Sequence, residues 1–244
     1  MAEDAAKSTD QSLPATIAAQ LRESILSGDL ASDERLPGEQ ELAERFGVSR
    51  PTIREALKRL AAQNLIRSRR GPTGGTFVNR MSWGEAHDSL ATLSMLVIGM
   101  QGADPAEVIE ARLALLKSCL PFAVKRRDET HIAKMRAEVD AQRSSETSDE
   151  DFCASDVRFH RALADAAGNP MLSFQMAGVV EGMQPLLNLI TYQARDREVM
   201  AAGHEEIADA LEARDAQAAA EALARMAAYV SGLATGLLTQ RAKS

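Results

Sequence analysis

The sequence predicts a mainly α-helical protein with two domains: an N-terminal winged helix-turn-helix domain and a C-terminal antiparallel bundle of six or seven helices. Two helical patterns joined at Gly47 predict the helix-turn-helix, and strand-forming residues around a Gly-Pro turn predict the wing. From about Trp83 onward, apolar residues recur at helical spacing and no strand-length alternation occurs. A chain of 244 residues has room for both domains.

The first element of the helix-turn-helix is a short amphipathic helix. Leu42 and Phe46 share one face, and Gly47 stands where a helix ends in a left-handed turn. Ser49 can then cap a second helix with its side-chain oxygen, and Pro51 falls in the first turn, where proline is tolerated. We therefore expect the chain to turn sharply and to begin a second helix at about residue 50.

The second helix has an apolar face and a basic face. Its apolar residues, at helical spacing, are Ile53, Ala56, Leu57 and Leu60. The polar and basic residues off that stripe are Arg50, Thr52, Arg54, Lys58 and Arg59. Arg50 and Arg54 are one turn apart, and an arginine can donate to N7 and O6 of guanine at once. Ser49 and Thr52 suit contacts with phosphates or a thymine methyl group, so this helix is expected to read DNA.

The second helix and the wing together concentrate positive charge. Residues 49–80 contain eight basic side chains and one glutamate, whereas the whole chain has a formal net charge of −7. Basic helix faces are often merely solvated, and helix-turn-helix units can also bind proteins. The concentration of positive charge within an acidic chain favours a phosphate-binding surface instead.

The segments LPGEQELAERFGVSRPTIREALKRL and GGTFV resemble the GntR family of winged helix-turn-helix repressors, and the resemblance covers residues 12–80. The resemblance implies operator contacts at Arg50, Thr52, Arg54, Arg70 and Gly71. Gln40 stands where many members carry an arginine, which replaces a charged phosphate contact by a neutral one. A homodimer on double-stranded DNA is also implied, with an inverted-repeat operator whose core carries GT and AC.

Composition and the chain termini set further expectations. Residues 1–11 are polar and acidic and are expected to be disordered, and residues 81–89 are expected to link the first domain to a helical domain at 90–240. The sequence has neither a signal peptide nor a membrane span, and Cys119 and Cys153 are too few for a disulfide framework. We expect a cytoplasmic protein with no membrane partner.

Turn residues divide the C-terminal domain into seven helical segments. The segments are 85–100, 104–127, 128–145, 149–167, 170–192, 196–213 and 215–239. Asp104-Pro105, Gly168-Asn169-Pro170 and Arg214-Asp215 separate several of them. Such segments favour an antiparallel bundle, which would serve effector binding and dimerisation.

One polar cluster interrupts the apolar pattern of the bundle. Asp156 and His160 are four residues apart and share one helix face, and His204 opens a stretch whose apolar residues point to the core. A carboxylate with imidazoles is a ligand set suited to zinc, nickel or manganese. The alternative is an internal ion pair between Asp156 and His160, with His204 as a helix cap.

The segments DVRFHRALADAAGNPML and HEEIADALEARDAQAAAEAL are similar to the FCD ligand-binding domain of the FadR-like subfamily, over about residues 90–240. The resemblance implies a cavity in which one aspartate and three histidines bind a divalent ion beside a small carboxylate effector. Asp156, His160 and His204 match three of these ligand positions, but Met226 stands at the fourth. A thioether binds such ions poorly, so the site lacks one strong ligand.

Met226 leaves three possibilities for the cavity open. One divalent ion can bind through three protein ligands, with water or effector oxygens at its open positions. Without a metal, His160 and His204 can hydrogen-bond an anionic effector directly. Met226 can also make room for an apolar part of the effector.

Two further residues are candidates for effector binding. Arg112 matches an arginine that the family directs toward the cavity, where a guanidinium can bind a carboxylate through two hydrogen bonds. Its alternative is a surface ion pair with Glu107 or Glu110. Asn188 lies among apolar residues and can line the same pocket, although such an asparagine is often an ordinary core or interface residue.

The function predicted from these features is that of a transcriptional regulator whose operator affinity is controlled by a small organic acid. The alternative is a metal-dependent hydrolase or lyase with Asp156, His160 and His204 as ligands and Glu205 or Glu206 as base. Another alternative is a scaffold whose helical domain only dimerises. The sequence has no glycine-rich phosphate loop, nucleophile elbow or HExxH pattern, so we predict that the protein is not an enzyme.

Overall fold

The computed structural model of the chain describes residues 12–71, 74–192 and 194–241. The chain divides after Met81 into two compact units. The segment expected to be disordered, residues 1–11, lies outside the described residues, and so do Pro72 and Thr73 in the wing.

Within the described residues, the first unit contains three helices and a two-stranded hairpin. Its elements are α1 (Leu13–Ser27), α2 (Glu39–Phe46), α3 (Arg50–Ala62), β1 (Ile66–Arg69) and β2 (Gly75–Val78). The helices and the hairpin share one core, in which Leu42, Ile53 and Leu60 are completely buried. This arrangement is the predicted winged helix-turn-helix.

The turn between α2 and α3 has the geometry that its residues favour. Gly47 ends α2 with a left-handed φ of +64°, which glycine adopts without steric cost. The Ser49 side-chain oxygen accepts the backbone N–H of Thr52 at 3.4 Å, and Pro51 occupies the first turn of α3. The apolar face of α3 is thereby buried and its basic face stays exposed.

The hairpin of β1 and β2 forms the predicted wing. The strands pair antiparallel, with Ile66 opposite Val78 and Arg69 opposite Gly75. Ile66 and Val78 are buried in the core of the unit, so the base of the wing is anchored by apolar packing.

Within the described residues, the second unit consists of seven helices. They are α4 (Trp83–Gln101), α5 (Pro105–Arg126), α6 (Glu129–Arg143), α7 (Asp149–Ala166), α8 (Pro170–Thr191), α9 (Arg197–Glu212) and α10 (Ala216–Arg241). Polar side chains cap the first turns of α5 to α9 and set where these helices begin. No helix in the described part of the chain is long and apolar enough to cross a membrane.

The prediction of a linker at residues 81–89 is wrong for most of that range, because α4 begins at Trp83. Ser82 and Glu85 form a capping box: Ser82 Oγ accepts the N–H of Glu85 at 3.2 Å, and Glu85 Oε2 accepts the N–H of Ser82 at 2.8 Å. Gly84 lies in the first helical turn, where it does not prevent helix formation. The helical unit therefore begins before residue 90.

The arrangement of α4, α7 and α8 positions the interior of the second unit. A β-carbon on Gly182 of α8 would lie 2.3 Å from Ser94 Cβ of α4, so the glycine allows these helices to approach closely. α7 packs against α5, α6 and α8 and buries Phe159 and Leu163 completely. Polar residues on that face of α7 consequently point into the interior.

Candidate functional site

The basic face of α3 carries two exposed arginines one turn apart. More than half of each side-chain surface of Arg50 and Arg54 is exposed. Arg54 donates to both carboxylate oxygens of Glu39, from Nε at 3.2 Å and from Nη2 at 2.8 Å, and Arg50 Nη2 lies 3.9 Å from Glu39 Oε2. The hydrogen bond from Arg54 lowers the pKa of the Glu39 carboxyl. Glu39 is therefore the shared anionic partner of both guanidinium groups.

The other polar candidates in the helix-turn-helix lie in the first turns of α2 and α3. Ser49 Oγ lies 2.8 Å from Thr52 Oγ1, so the two hydroxyl groups share a hydrogen bond. Gln40 is exposed on α2 and donates from Nε2 to Glu44 Oε1 at 2.7 Å. Helix N-termini present backbone N–H groups that favour phosphate oxygens, so these positions suit contacts with a nucleic-acid backbone.

The wing presents a second group of basic side chains. Asp33 forms an ion pair with Arg67 and lies 4.0 Å from Arg69 Nη2. Arg70 and Gly71 are exposed at the described edge of the wing tip, and Gly71 has a φ of +112° that favours glycine. The wing therefore offers an exposed arginine beside a turn that its glycine makes possible.

Two acidic residues of this surface were missed by the sequence analysis. Glu39 precedes Arg54 by 15 residues and Asp33 precedes Arg67 by 34, so both lie outside the basic window 49–80. No local sequence pattern marks either pairing. The basic surface of the folded unit is therefore less positive than the count over the window indicates.

Four polar side chains converge in the interior of the second unit. Asp156 and His160 lie one turn apart on α7, His204 lies on α9 and Arg112 on α5, and all four are buried. Potential ligand atoms of Asp156, His160 and His204 lie within 4.8 Å of one another. We call these four residues the buried cluster.

Arg112 is paired inside the buried cluster and not with the glutamates of its own helix. Its Nη2 donates to Asp156 Oδ2 at 2.8 Å and lies 3.0 Å from His160 Nδ1, and its Nη1 donates to Gln184 Oε1 at 3.3 Å. Burial opposes the charged form of Asp156, but the positive charge of Arg112 holds the pKa of its carboxyl well below the usual range. Asp156 is therefore an anion at neutral pH.

His160 is uncharged at neutral pH. Burial and the charge of Arg112 lower its pKa to about 3, against the opposing attraction of Asp156. Its Nδ1 also lies 2.8 Å from the backbone carbonyl oxygen of Asp156. Nδ1 therefore lies between an acceptor, that carbonyl, and a donor, Arg112 Nη2. The tautomer with its proton on Nδ1 has an Nε2 lone pair that is available to a cation or to a ligand donor.

The two ring nitrogens of His204 bear on whether a cation can bind in the buried cluster. Its side chain is fully buried, and its Nδ1 donates to Gln142 Oε1 at 2.8 Å. Its Nε2 lies 3.3 Å from Asp156 Oδ1 and is directed at that carboxylate. Either a proton on Nε2 or a cation can occupy the space between these two atoms. The donors present therefore fit a divalent ion.

A cavity of about 50 Å³ adjoins the buried cluster. Its polar wall is formed by Arg112, Asp156 and His160. The rest of its lining is apolar and consists of Ile109, Leu113, Leu116, Leu187, Met200, Leu223, Met226, Ala227 and Val230. This volume holds roughly three water molecules, so a larger ligand requires the cavity to widen.

Met226 belongs to the apolar lining of the cavity. It is 9% exposed and packs in one cluster with Phe152 and Met200. A β-carbon on Gly203, which precedes His204, would lie 2.3 Å from Met226 Cε. Gly203 therefore makes room for the thioether methyl group beside the histidine.

Asn188 reaches the buried cluster indirectly and is not among the described residues that line the cavity. Gln184 Nε2 donates to Asn188 Oδ1 at 2.9 Å, while Gln184 Oε1 accepts from Arg112. Asn188 is therefore connected to the guanidinium of Arg112 through the side-chain amide of Gln184.

Gln142 and Gln184 were missed by the sequence analysis. Gln142 follows Met135 and Val139 on the buried stripe of α6, at a position where an apolar residue is expected. A buried glutamine requires a partner, so its place on an apolar stripe is a signal that could have found it. Gln184 lies next to buried Met183, and no comparable pattern marks it.

Comparison with protein families matches both units of the chain. The profile of bacterial regulatory proteins of the gntR family matches residues 13–78, and the FCD domain profile matches residues 107–228. The chain is 31% identical over 206 residues to YcbG, an uncharacterized HTH-type transcriptional regulator of Bacillus subtilis (strain 168), with 82% of each protein covered. It is 29% identical over 234 residues to a putative L-lactate dehydrogenase operon regulatory protein of Escherichia coli (strain K12), with 88% of this chain and 83% of that protein covered.

Among solved structures, the chain is similar to a GntR protein of Streptococcus agalactiae. The superposition has a TM-score of 0.55 at 22% sequence identity and covers 91% of this chain and 99% of the other. At this identity the likeness concerns the fold.

Proposed function

This chain belongs to the GntR family of bacterial transcriptional regulators and carries an FCD domain, and we propose that a small carboxylate bound beside the buried cluster controls its affinity for an operator. The chain is thus a DNA-binding regulator and not an enzyme, and nothing in its relatives supports a hydrolase or lyase. The observation that carries the proposal is the Arg112 guanidinium on the wall of an otherwise apolar cavity.

The chemistry of the cavity wall selects a small organic acid. A guanidinium presents parallel N–H donors that match the two oxygens of a carboxylate. The apolar lining, including Met226, suits a short aliphatic portion of the same molecule. The name of one relative refers to an L-lactate dehydrogenase operon, and lactate is an acid of this class.

Asp156, His160 and His204 would hold one divalent ion, such as zinc, nickel or manganese. An ion bound there would supply positive charge for the oxygens of the effector. Gln142 keeps the Nε2 atom of His204 directed at the site through its contact with Nδ1. Met226 adds no strong ligand, which leaves room for an effector oxygen.

Arg112 has to divide its donors between Asp156 and an entering carboxylate. Without other cations, the guanidinium compensates the charge of Asp156 at 2.8 Å. A second positive charge at the same carboxylate would repel it and turn Nη2 toward the effector. Gln184, which is held by Asn188, would keep Nη1 in place during this change.

The first unit would contact the operator through its exposed recognition surface. The proposed contact residues are Gln40, Ser49, Arg50, Thr52, Arg54, Arg70 and Gly71. Arg50 and Arg54 would exchange the Glu39 carboxylate for guanine edges, and the polar residues would contact phosphates. A homodimer would present two copies of α3 to an inverted repeat.

The proposed control passes through helix α8. An effector shifts the equilibrium only if it binds one arrangement of the protein more tightly than another. Gln184 on α8 holds Arg112, and α8 packs against α4 through Gly178 and Gly182. Since α4 follows the DNA-binding unit directly in the chain, a displacement of α8 would bias the position of α4.

Operator binding with and without candidate effectors tests the proposal. An operator would be selected from random DNA with the full chain, and its affinity measured by fluorescence anisotropy against a panel of small mono- and dicarboxylates. We expect one acid to change operator affinity by about 5-fold to 150-fold, the usual range of allosteric coupling. The metal content of protein purified without chelators or a histidine tag would be measured in parallel.

The matched variants are Arg112→Gln and Arg158→Gln. Arg158 is an exposed arginine of α7 that pairs with Glu138, away from the cavity. We expect Arg112→Gln to lose the response to the acid and Arg158→Gln to keep it. A panel without any response, or an unchanged response in Arg112→Gln, would overturn the proposal.

Replacing Met226 by histidine tests the ion separately. Met226→His adds an imidazole at the fourth ligand position, and we expect it to raise the affinity for zinc or nickel at least tenfold. Competition with a chromophoric chelator measures that affinity, with Met171→His, at an exposed position on α8, as control. Equal affinities of the Met226→His variant and the wild type would count against an ion at this site.

A further inference from the structure

A second cavity lies within the helical unit, between the first turns of α4, the end of α7 and the start of α8. Its volume is about 430 Å³, within the range of pockets that bind small molecules. Trp83, His87, Asp165 and Ser173 are among its lining residues. None of its described lining residues is shared with the cavity beside the buried cluster. We call this second cavity the α4–α8 pocket.

An exposed tryptophan contributes an aromatic wall to the α4–α8 pocket. Trp83 is the single tryptophan of the chain, and it is 53% exposed. Its ring lies edge-on to Phe174 with the centroids 6.0 Å apart, and the ring of His87 stacks on Phe174 at 5.8 Å. An indole ring attracts an organic cation through its π-electrons and also covers apolar surface. The wall therefore suits a ligand that combines positive charge with an apolar body.

The α4–α8 pocket also contains a carboxylate without a cationic partner. Asp165 is half-buried and accepts a hydrogen bond from the hydroxyl group of Ser173, but no basic side chain among the described residues pairs with it. Glu181, another half-buried carboxylate of the same unit, pairs with Arg161. Positive charge stabilises a carboxylate that has lost part of its hydration. Asp165 is therefore available to a cation that enters the pocket.

A buried imidazole nitrogen is a second polar group without a partner. His87 Nε2 is buried and has no hydrogen-bond partner among the described residues, although such atoms are nearly always hydrogen-bonded in folded proteins. His87 follows Trp83 by one turn of α4, so both side chains lie on the helix face that lines the pocket. A ligand N–H group that reaches this nitrogen would satisfy it.

The polar groups of the α4–α8 pocket do not suit an anion. Asp165 would repel a negative charge, and none of the described lining residues is a lysine or an arginine. Helix N-termini can bind anions through free backbone N–H groups, but the starts of α4 and α8 are capped. The side chains of Ser82 and Asn169 accept N–H groups in these turns, and Pro170 has no N–H group.

We propose that the α4–α8 pocket binds a small organic ammonium ion, with its charged nitrogen at Asp165 and its apolar body against Trp83. The ammonium would donate a charge-assisted hydrogen bond to the carboxylate, and the indole ring would exclude water from the rest of the molecule. This chemistry is opposite to that of the cavity beside the buried cluster, where Arg112 suits a carboxylate. The inference goes beyond the proposed function and does not depend on it.

Fluorescence of the full chain tests the inference, because all tryptophan emission comes from Trp83. The probes are benzylammonium, benzyl alcohol and benzoate, which share one ring and differ in charge. We expect benzylammonium to change the emission saturably and to bind at least about tenfold more tightly than benzyl alcohol, with benzoate the weakest of the three. No saturable change with benzylammonium, or equal affinities for the three probes, would overturn the inference.

The matched variants are Asp165→Asn and Asp151→Asn. Asp165→Asn removes the charge and keeps an acceptor for Ser173. Asp151 is an exposed aspartate of the same helix that accepts the hydroxyl group of Ser148 at 2.7 Å, about 21 Å from Asp165 along the helix axis. We expect Asp165→Asn to weaken benzylammonium binding at least about tenfold and Asp151→Asn to bind as the wild type does. Unchanged binding in Asp165→Asn would contradict the proposed site.

Calorimetry decides the case in which Asp165→Asn fails to fold. Trp83→Leu removes an exposed ring, and we expect it to lose the heat of benzylammonium binding. Tyr192→Leu is the control, since Tyr192 is 50% exposed at the other end of α8. A Trp83→Leu variant that binds benzylammonium as the wild type does would refute the aromatic wall.

The response to an acid separates this inference from the proposed function. We expect Asp165→Asn to keep the control of operator affinity by a carboxylate, and Arg112→Gln to keep the binding of benzylammonium. If an acid controls operator affinity but benzylammonium does not bind, only the α4–α8 pocket is wrong. If benzylammonium binds at Asp165 but no acid acts on operator affinity, only the proposed function fails.

Discussion

The recognition surface and the buried cluster are both built around an arginine–carboxylate pair, and the two pairs have the same length. Arg54 Nη2 lies 2.8 Å from Glu39, and Arg112 Nη2 lies 2.8 Å from Asp156. The side chains of the first pair are 55% and 31% exposed, whereas those of the second are 11% and 8% exposed. Distance is therefore not what distinguishes the two pairs.

Solvent exposure gives each pair a different use. Water and salt screen the pair between Arg54 and Glu39, so the arginine can exchange its partner for DNA at little cost. Asp156 and Arg112 have lost their hydration, and each depends on the other for compensation. The two side chains can separate only when another ion takes the place of the lost partner. A metal cation could do so for Asp156, and the carboxylate of an acid could do so for Arg112.

Removing one partner of the buried pair should have the largest effect. Asp156→Ala leaves the Arg112 guanidinium uncompensated in the interior, and we expect the free energy of unfolding to fall by about 3–5 kcal/mol. Urea unfolding of metal-free protein, followed by circular dichroism, measures this loss. Glu39→Ala is the matched change at the surface and should shift the midpoint little. Similar shifts of the unfolding midpoint in both variants would show that the buried pair contributes no more to stability than the exposed pair does.

Removing an arginine from the recognition surface should affect binding and leave stability unchanged. We expect Arg50→Ala to weaken operator binding by about 1–3 kcal/mol and to relax base preference at one position, because we propose that the side chain contacts a base edge. Anisotropy titrations with operator and random DNA measure both effects. An equal loss on random DNA would reduce Arg50 to a phosphate contact.

The buried cluster should also make stability depend on pH. The pKa of His160 is about 3 in the folded protein, below the ordinary value of 6.5, so the unfolded chain binds a proton that the folded protein excludes. This stabilisation is complete above pH 6.5 and is lost as the pH falls toward 3, at up to about 1.4 kcal/mol per pH unit. Unfolding of metal-free wild type and His160→Gln between pH 7 and 5 measures the difference. Parallel pH profiles would show that His160 is not the source.

The smallest effect is expected for Glu39→Gln. Loss of the carboxylate removes the shared partner of Arg50 and Arg54, which would then sample more orientations. We expect the ratio of operator to random-DNA affinity to fall by less than tenfold, since the pair is exposed and screened. A loss of operator binding above 100-fold would mean that the arginines depend on Glu39 as strongly as Arg112 depends on Asp156.

The sequence predicts most of the secondary structure because its signals are local. Gly47, Ser49 and Pro51 act within a few residues of one another, and they mark the turn and the start of α3. Capping side chains do the same for α5 to α9. The linker at 81–89 was wrong although its signal is equally local: the Ser82 and Glu85 capping box outweighs Gly84.

The apolar stripes and the spacing of Asp156 and His160 by themselves determined that a polar group would face the interior of a helical bundle, because a helix places residues four apart on one face. Only the tertiary structure decided what that group meets. Arg112 reaches Asp156 across 44 residues, His204 reaches Gln142 across 62, and both contacts are buried. The ionisation of the buried cluster follows from that packing, since burial and neighbouring charges, and not sequence spacing, set the pKa of each side chain.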